Sequence, residues 1–162
     1  MSFNIEAGNI VKDKELFIAQ AKAMVEDEEN LIANLSNLSS LYKIYLPNTN
    51  WVGFYLNDKK NKSLVLGPFQ GKVACTRIPY TKGVCGHTFT TKEVTYVKNV
   101  HEFKGHIACD SETNSELVIP IIKENEVVAL LDIDSKEFER FSQDEVAAFS
   151  EATKEIFKNV KF

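Results

Sequence analysis

The amino-acid sequence predicts an α+β domain, with a mainly antiparallel sheet flanked by N-terminal and C-terminal helices. Apolar residues recur every three or four positions near both ends of the chain and at alternate positions in its middle. The 162 residues, 44% hydrophobic and 26% charged, suit one globular domain with a buried core. We therefore expect a single domain over residues 1–162, with helices in 1–47, the sheet and functional loops in 48–135, and a final helix in 142–160.

Two helices are predicted to open the chain. The segment 12–26 carries apolar side chains in a broadly helical stripe. The segment 31–45 has a clearer amphipathic pattern, because leucine and tyrosine recur at three- and four-residue intervals. Pro47 and Asn48 end this second helix.

A strand is predicted from residue 50, where the apolar period changes to two. Val52 and Phe54 would point to the helix-covered face, and Trp51 and Tyr55 to the opposite face. Gly53 lies between the two aromatic residues, and its missing side chain leaves a gap that a small ligand could occupy. The plainer alternative is that the aromatic residues fill a second small core.

Long loops with short elements are predicted for residues 67–114. A second strand begins at Ser63 and is expected to end near Gly67 and Pro68. The loop region holds five of the seven glycines, all three histidines and all three cysteines. Long connections in a compact domain are where binding and catalytic residues concentrate.

A hairpin and a helix are predicted to close the chain. Apolar runs at 116–122 and 127–133 are joined by a charged turn. Ser142 and Glu145 have the spacing of a capping box at the start of the final helix. The apolar positions of this helix would pack on the sheet.

Charge and hydropathy exclude some partners. The net charge is -4 and the basic residues are scattered, so no nucleic-acid partner is expected. No apolar run reaches the length of roughly 18 residues that a membrane span needs. The first ten residues lack the pattern of a secretory signal. We expect a cytoplasmic protein without membrane partners.

Carboxylates gather at the end of the last predicted strand. Asp132 and Asp134 share one strand face and lie about 7 Å apart. Glu116 opens the adjacent strand and would supply a third carboxylate. Like charges after an apolar run are unfavourable unless they are solvated or matched by a cation. Two interpretations stay open: a solvated strand end, or a site for an ammonium group or a proton-donating carboxyl.

The three cysteines are not expected to form a permanent disulfide framework in a reducing compartment. Cys85 lies where a short helix could start, and a helix N-terminus lowers the pKa of a thiol. Cys75 and Cys109 lie in loops. A redox interpretation needs an attacking thiol and a second thiol that reaches it. The plain alternative is that all three are small buried apolar residues.

A metal site is not predicted from the cysteine spacing. Nine and twenty-three residues separate the successive cysteines, whereas structural zinc sites use closely spaced ligand pairs. Cys85 and His87 are the one close pair, and the histidines are expected to form hydrogen bonds in loops. No cofactor is predicted.

Six segments together carry a resemblance to a known family. They are 67–71 (GPFQG), 74–78 (ACTRI), 83–86 (GVCG), 105–110 (GHIACD), 114–116 (NSE) and 131–135 (LDIDS). In this order they resemble the free methionine-(R)-sulfoxide reductase family, which is built on a GAF domain. The resemblance runs from about Trp51 to the final helix, and it implies a single GAF domain.

The resemblance implies an oxidoreductase of oxidative stress that reduces free methionine-(R)-sulfoxide to methionine. Cys109 would attack the sulfoxide sulfur, while a nearby acid protonates the oxygen, and would become a sulfenic acid. Cys75 would then resolve it as a disulfide, with Cys85 as an alternative or relay thiol. Thioredoxin or a similar dithiol reductant would restore the thiols. The R stereochemistry rests on the resemblance alone.

The resemblance also implies the substrate contacts. Trp51 and Tyr55 would form the aromatic pocket for the methyl end of the substrate. Glu116, Asp132 and Asp134 would hold the ammonium group and the sulfoxide oxygen. A carboxylate cluster suits a free amino acid, because peptide-bound methionine lacks the cationic amine. When carboxylates share an enclosed site, the pKa of at least one of them is raised. That carboxyl stays protonated, as acid catalysis requires.

Two other functions are alternatives to the enzyme: a GAF sensor that binds a ligand, and a thiol switch that oxidises without turnover. The sensor is less expected, because we expect no output domain within residues 1–162 and three cysteines exceed what a ligand pocket requires. Turnover of free methionine sulfoxide separates both from the enzyme. Exposed helices of such domains often mediate dimerisation, so a homodimer is an open expectation.

Overall fold

The computed structural model describes residues 5–6, 8–107 and 109–162. Ala108 of the segment 105–110 and five residues near the N-terminus lie outside this description. The elements are helices α1 (Ile10–Val25), α2 (Leu31–Tyr45), α3 (Gly83–Thr91) and α4 (Gln143–Phe157), and strands β1 (Trp51–Asp58), β2 (Ser63–Gly71), β3 (Arg77–Pro79), β4 (Thr95–Val97), β5 (Ser115–Lys123) and β6 (Glu126–Ser135). None of the described helices is long and apolar enough to cross a membrane.

The six strands form one sheet in the order β3-β2-β1-β6-β5-β4, and every pair is antiparallel. The predicted α+β class with an antiparallel sheet is therefore confirmed. Strand β6 lies at the centre, between β1 and β5, and it is buried along most of its length. The central strands thus share the residues that the sequence singled out.

The three long helices cover one face of the sheet. Val52 and Phe54 of β1 and Leu131 and Ile133 of β6 point into this layer, as predicted. Helix α4 begins at Ser142 with the predicted capping box. The core on this face also contains Phe17, Leu35, Leu38, Tyr42, Leu117, Phe149 and Ile156, all nearly inaccessible to solvent.

The opposite face carries a second core, formed under α3 and the loops that contain Cys75 and Cys109. Trp51 and Tyr55 of β1 point into it, together with Val118 of β5 and Leu130 of β6. The alternation of β1 is therefore as predicted, since a period of two sends neighbouring side chains to opposite faces. Helix α3 lies on this face, apart from the three long helices.

Two boundaries differ from the prediction. Helix α1 begins at Ile10 because the Asn9 side chain accepts hydrogen bonds from the amides of Val11 and Lys12. Strand β2 does not end near Gly67 and Pro68; it continues to Gly71. The pairing of β1 with β2 shifts register between Gly53 and Tyr55, and such a bulge tolerates proline and glycine within a strand.

Candidate active site

Two of the three cysteines form a disulfide beside the second core. Cys75 lies in the loop after β2, and Cys109 lies in the loop before β5. Their Cα atoms are 5.6 Å apart, and both residues are half-buried. The structure thus brings together, in the bonded state, the two cysteines that the resemblance implies as resolving thiol and nucleophile.

The polar ends of two aromatic side chains hold the Cys75 loop in place. The Trp51 indole N–H donates to the backbone oxygen of Lys72 at 3.1 Å. The Tyr55 hydroxyl donates to the backbone oxygen of Cys75 at 2.8 Å. Sequence patterns gave no sign of these contacts, which join strand β1 to a loop about twenty residues later. Both aromatic side chains therefore face the site and fix the position of the Cys75 loop at its edge.

Of the two interpretations at Gly53, the structure favours the second small core, because the space beside Gly53 is filled. Phe69 of β2 pairs with Gly53 and stacks on the Trp51 ring, with centroids 5.1 Å apart. A Cβ atom at Gly53 would lie 2.3 Å from the Phe69 Cβ. The missing side chain makes room for a neighbouring strand rather than for a ligand. Trp51 and Tyr55 also stack on each other, at 5.9 Å.

The three predicted carboxylates form one cluster at the centre of the sheet. Glu116 of β5 lies in register with Asp134 of β6, and Asp132 lies two residues earlier on the same face. Glu116 and Asp132 are each 6% exposed. Oδ1 of Asp132 and Oδ1 of Asp134 are buried and have no hydrogen-bond partner among the described residues. The alternative of a solvated strand end is therefore wrong, because the sheet and the loops cover these groups.

Burial and mutual repulsion change how these carboxyls titrate. Burial, reinforced by the charge of Asp134, raises the pKa of Glu116 to about 8. The pKa of Asp132 is raised by burial and by Glu116, and that of Asp134 by burial and by Asp132. Like charges in an enclosed site cannot all ionise cheaply. At neutral pH Glu116 therefore keeps its proton.

The third cysteine lies against this cluster. Cys85 in the first turn of α3 is 3% exposed. Its sulfur and one oxygen each of Glu116 and Asp132 lie within 4.8 Å of one another. Such a set would receive a cation, either a metal ion or an organic ammonium group. The sequence had shown Cys85 and His87 as the close pair, because the distances to Glu116 and Asp132 arise from sheet pairing.

The helix N-terminus does not lower the pKa of the Cys85 thiol as expected. Burial raises this pKa well above its ordinary value, and the charges of Asp132 and Glu116 raise it further. The thiolate that a relay would need is scarce at neutral pH for this reason. The sequence placed Cys85 near a helix start correctly, but it did not reveal that the side chain turns into the core.

A small cavity that opens to solvent joins these groups. Its lining includes seven of the eight residues proposed from the sequence, and the eighth, Cys75, is bonded to the lining residue Cys109. Lys82 offers no side-chain cap to α3, and the Gly83 amide in its first turn donates to the backbone oxygen of Gly105 at 3.2 Å. The lining is Trp51, Tyr55, Val73, Ala74, Ile78, Lys82, Gly83, Val84, Cys85, His106, Ile107, Cys109, Asp110, Thr113, Glu116, Asp132 and Asp134.

His106 is a site residue that the sequence pattern did not single out. Its Nε2 lies 3.5 Å from Glu116 Oε2, and burial lowers the pKa of its imidazole. His101, by contrast, bonds Asn114 through Nε2 at 2.7 Å, as expected of a loop histidine. Nothing in the spacing distinguishes the two residues, because only the path of the loop brings His106 to the cluster.

Asp110 is tied into the loop beside Cys109. Its Oδ2 accepts from the Asn50 side chain at 3.0 Å, and its Oδ1 accepts from the Glu112 amide at 2.9 Å. Asn50 also donates to Thr113 at 3.2 Å. The carboxylate that follows the cysteine therefore shapes the loop through hydrogen bonds.

Comparisons with known proteins fit this geometry. The GAF domain family model matches residues 47–156. The free methionine-R-sulfoxide reductase of Escherichia coli is 46% identical over 76% of this chain and 73% of that protein. The enzyme of the same name from Saccharomyces cerevisiae is 38% identical over 96% of this chain and 91% of that protein.

A solved structure extends the likeness to three dimensions. The free methionine-R-sulfoxide reductase of Neisseria meningitidis, in complex with its substrate, superposes with a TM-score of 0.88. It is 33% identical, over 98% of this chain and 94% of that one. The fold, the motifs and these likenesses agree: the chain belongs to the free methionine-(R)-sulfoxide reductase family of GAF-domain oxidoreductases.

Proposed function

We propose that the protein reduces free methionine-(R)-sulfoxide to methionine with Cys109 as nucleophile. One observation carries the proposal: a single cavity joins Cys109, which is disulfide-bonded to Cys75, to a buried carboxylate cluster in which the pKa of Glu116 is raised to about 8. The relatives bearing this enzyme's name support the choice of substrate. Free methionine sulfoxide supplies both a reducible oxygen and the cationic amine that such a cluster binds.

The amine of the substrate would lie among Glu116, Asp132 and Asp134. Two of these carboxylates present buried oxygens without a partner, and an ammonium group would supply the missing donors. The substrate carboxylate would face the first turn of α3, which has no side-chain cap and where the helix dipole favours an anion. The Trp51 and Tyr55 rings would contact the methyl end. A peptide-bound residue lacks both charged groups, so it would bind poorly.

The first step would oxidise Cys109. Its thiolate attacks the sulfoxide sulfur, and a cluster carboxyl donates a proton to the oxygen. The protonated oxygen passes from the substrate sulfur to the Cys109 sulfur, the new bond between the two sulfur atoms breaks, and methionine leaves a sulfenic acid on Cys109. Glu116 is a suitable donor, because its pKa of about 8 keeps it protonated at neutral pH. Two electrons pass from the cysteine to the substrate sulfur.

The second step would form the disulfide observed in the structure. The Cys75 thiol attacks the Cys109 sulfur and expels water, made from the sulfenic oxygen and protons of the site. A dithiol protein such as thioredoxin then reduces the Cys75–Cys109 bond and is itself oxidised. Such reductants operate in the cytoplasm, where we place the reaction.

Substrate selectivity tests the proposal. The reduced protein should release methionine from free methionine-(R)-sulfoxide under dithiothreitol, and it should leave the S epimer and a peptide-bound sulfoxide unchanged. Asp132→Asn should raise KM for the free substrate, because one carboxylate of the amine site is lost. Equal rates on free and peptide-bound sulfoxide would contradict the role of the cluster. Binding without release would favour the sensor, and oxidation without release would favour the thiol switch.

A further inference from the structure

A non-covalent link joins the two loops that carry the disulfide. Nζ of Lys72, three residues before Cys75, lies 2.5 Å from Oε2 of Glu112. Glu112 stands three residues after Cys109. Nζ of Lys136, directly after β6, lies 2.9 Å from the same Glu112 oxygen. The three side chains form a bridge, here called the loop clamp, from the Cys75 loop through the Cys109 loop to the end of the central strand.

We propose that Glu112 is a positioning residue for disulfide closure: through Lys72 and Lys136 it holds the Cys75 loop against the Cys109 loop. The inference rests on the proposed function, because it concerns the step that resolves the sulfenic acid. None of the three residues lies in the six segments shared with the family. The clamp is therefore a feature of this chain outside the motifs that carry the chemistry.

The loop clamp connects two parts of the backbone whose positions are already fixed by hydrogen bonds. The two cysteines are 34 positions apart in the sequence, so the rate of closure depends on how often their loops meet. The Trp51 indole anchors the Lys72 carbonyl at 3.1 Å, and Lys136 follows a strand paired on both sides. Glu112 thus links two ordered points, and an added link between them raises the effective concentration of one thiol at the other.

The clamp remains charged at neutral pH. Lys72 and Lys136 lower the pKa of Glu112 to about 2, so its carboxylate is ionised throughout the physiological range. All three side chains are substantially exposed, and ion pairs of this kind are screened by salt. Their contribution is therefore modest, about two- to fivefold in an equilibrium or a rate.

The reduction potential of the Cys75–Cys109 disulfide tests the inference without substrate. Glu112→Gln should make the disulfide about two- to fivefold easier to reduce at 20 mM NaCl, equivalent to a rise of about 9–21 mV at 29.6 mV per tenfold. In 1 M NaCl, where charges are screened within about 3 Å, wild type should approach the variant. The matched control Glu29→Gln, which removes the remote exposed pair with Lys161, should behave as wild type at both salt concentrations.

Lys72→Gln separates a mechanical link from a simple field effect. Loss of either partner of a link shifts the potential in the same direction, and the double variant adds little further. If only the electric fields of the two charges mattered, Lys72→Gln and Glu112→Gln would shift the reduction potential in opposite directions. Opposite shifts, or an unchanged potential in Glu112→Gln at low salt, would overturn the inference.

A trapping experiment measures the closing step itself. After one equivalent of free methionine sulfoxide, Glu112→Gln should release methionine at the wild-type rate, while the dimedone-reactive sulfenic acid on Cys109 lasts about two- to fivefold longer. An equal lifetime in both proteins would overturn the inference. A protein that releases no methionine would refute the proposed function instead, and the potentials would still decide whether the clamp acts.

Discussion

At the residue scale, the three cysteines differ in their surroundings more than their spacing suggests. Cys75 and Cys109 lie half-buried in loops and form a bond, whereas Cys85 is enclosed beside two carboxyls. Thiol chemistry needs the thiolate and a path to its target. At Cys85, burial beside the carboxyls raises the pKa of the thiol, so little thiolate forms.

Cys85→Ala should therefore preserve catalysis. The variant should keep at least about half of the wild-type turnover with a dithiol reductant, because a buried thiol of raised pKa contributes little thiolate. Steady-state assays of methionine release with thioredoxin measure this. If the variant releases one methionine per chain and then stops, Cys85 relays the oxidation as the family resemblance alone allowed.

Tyr55→Phe should slow disulfide closure without preventing methionine release. The change removes only the hydroxyl that holds the Cys75 carbonyl at 2.8 Å, and one such bond corresponds to about two- to tenfold in rate. Quenched-flow measurement of free thiols after a single turnover reports closure. The matched control Tyr42→Phe removes a buried hydroxyl that bonds Thr153 on the other face, so closure there should be unchanged. Equal closure in all three proteins would refute the anchoring role of Tyr55.

At the element scale, strands β1 and β6 could be predicted in detail from sequence. Their side chains alternate strictly, and a one-residue slip would expose the entire apolar set, so the pattern fixes which residues share a face. Asp132 and Asp134 were placed on the site face for this reason. The capping box of α4 is equally local, because Ser142 and Glu145 contact each other within one turn.

Features that depend on contacts between residues far apart in the chain could not be predicted from the sequence. Phe69 fills the gap at Gly53 because β2 continues through a bulge past Pro68, and no local signal encodes that register. Cys85 is buried because α3 packs over β5 and β6, which depends on the path of two loops. His106 reaches Glu116 for the same reason. Sequence therefore predicted the carboxylates well and the environment of the thiols poorly.

Gly53→Ala should destabilise the pairing of β1 with β2. A Cβ atom there would lie 2.3 Å from the Phe69 Cβ, 2.9 Å from its Cα and 2.7 Å from the Trp51 ring, so the backbone of β2 must shift. Overpacking of this kind costs about 1–3 kcal/mol in the free energy of unfolding. Urea denaturation measures the loss, and the near-ultraviolet circular dichroism of Trp51 should change with it. Wild-type stability with an unchanged spectrum would mean that Phe69 does not occupy the gap.

At the scale of the whole molecule, the carboxylate cluster links folding to pH. Glu116 has a pKa of about 8 in the folded protein and near 4.5 when unfolded. Between these values the folded state binds more protons than the unfolded chain, so the free energy of unfolding falls as pH rises. The stabilising protonation is complete below about pH 4.5 and is lost as pH rises through about 8. Asp132 and Asp134 act in the same direction.

Glu116→Gln should flatten this pH dependence. Between pH 5 and pH 8 the variant should lose less stability than wild type, by more than about 1.4 kcal/mol, the value of one pKa unit. Urea titrations at both pH values measure the difference. The exposed control Glu29→Gln should keep the wild-type slope. If Glu116→Gln also keeps that slope, Glu116 is ionised in the folded protein and cannot be the proton donor.

The proposed chemistry fixes a stoichiometry for the whole molecule: the single Cys109 of each chain reduces one sulfoxide before any reductant is needed. The direct measurement is methionine released per chain from free methionine-(R)-sulfoxide by the prereduced protein without reductant. We expect about one methionine for wild type and for Cys75→Ser, and none for Cys109→Ser, since each thiol transfers one pair of electrons. Release of methionine by Cys109→Ser would show that Cys109 is not the nucleophile, because the chemistry would then belong to another residue.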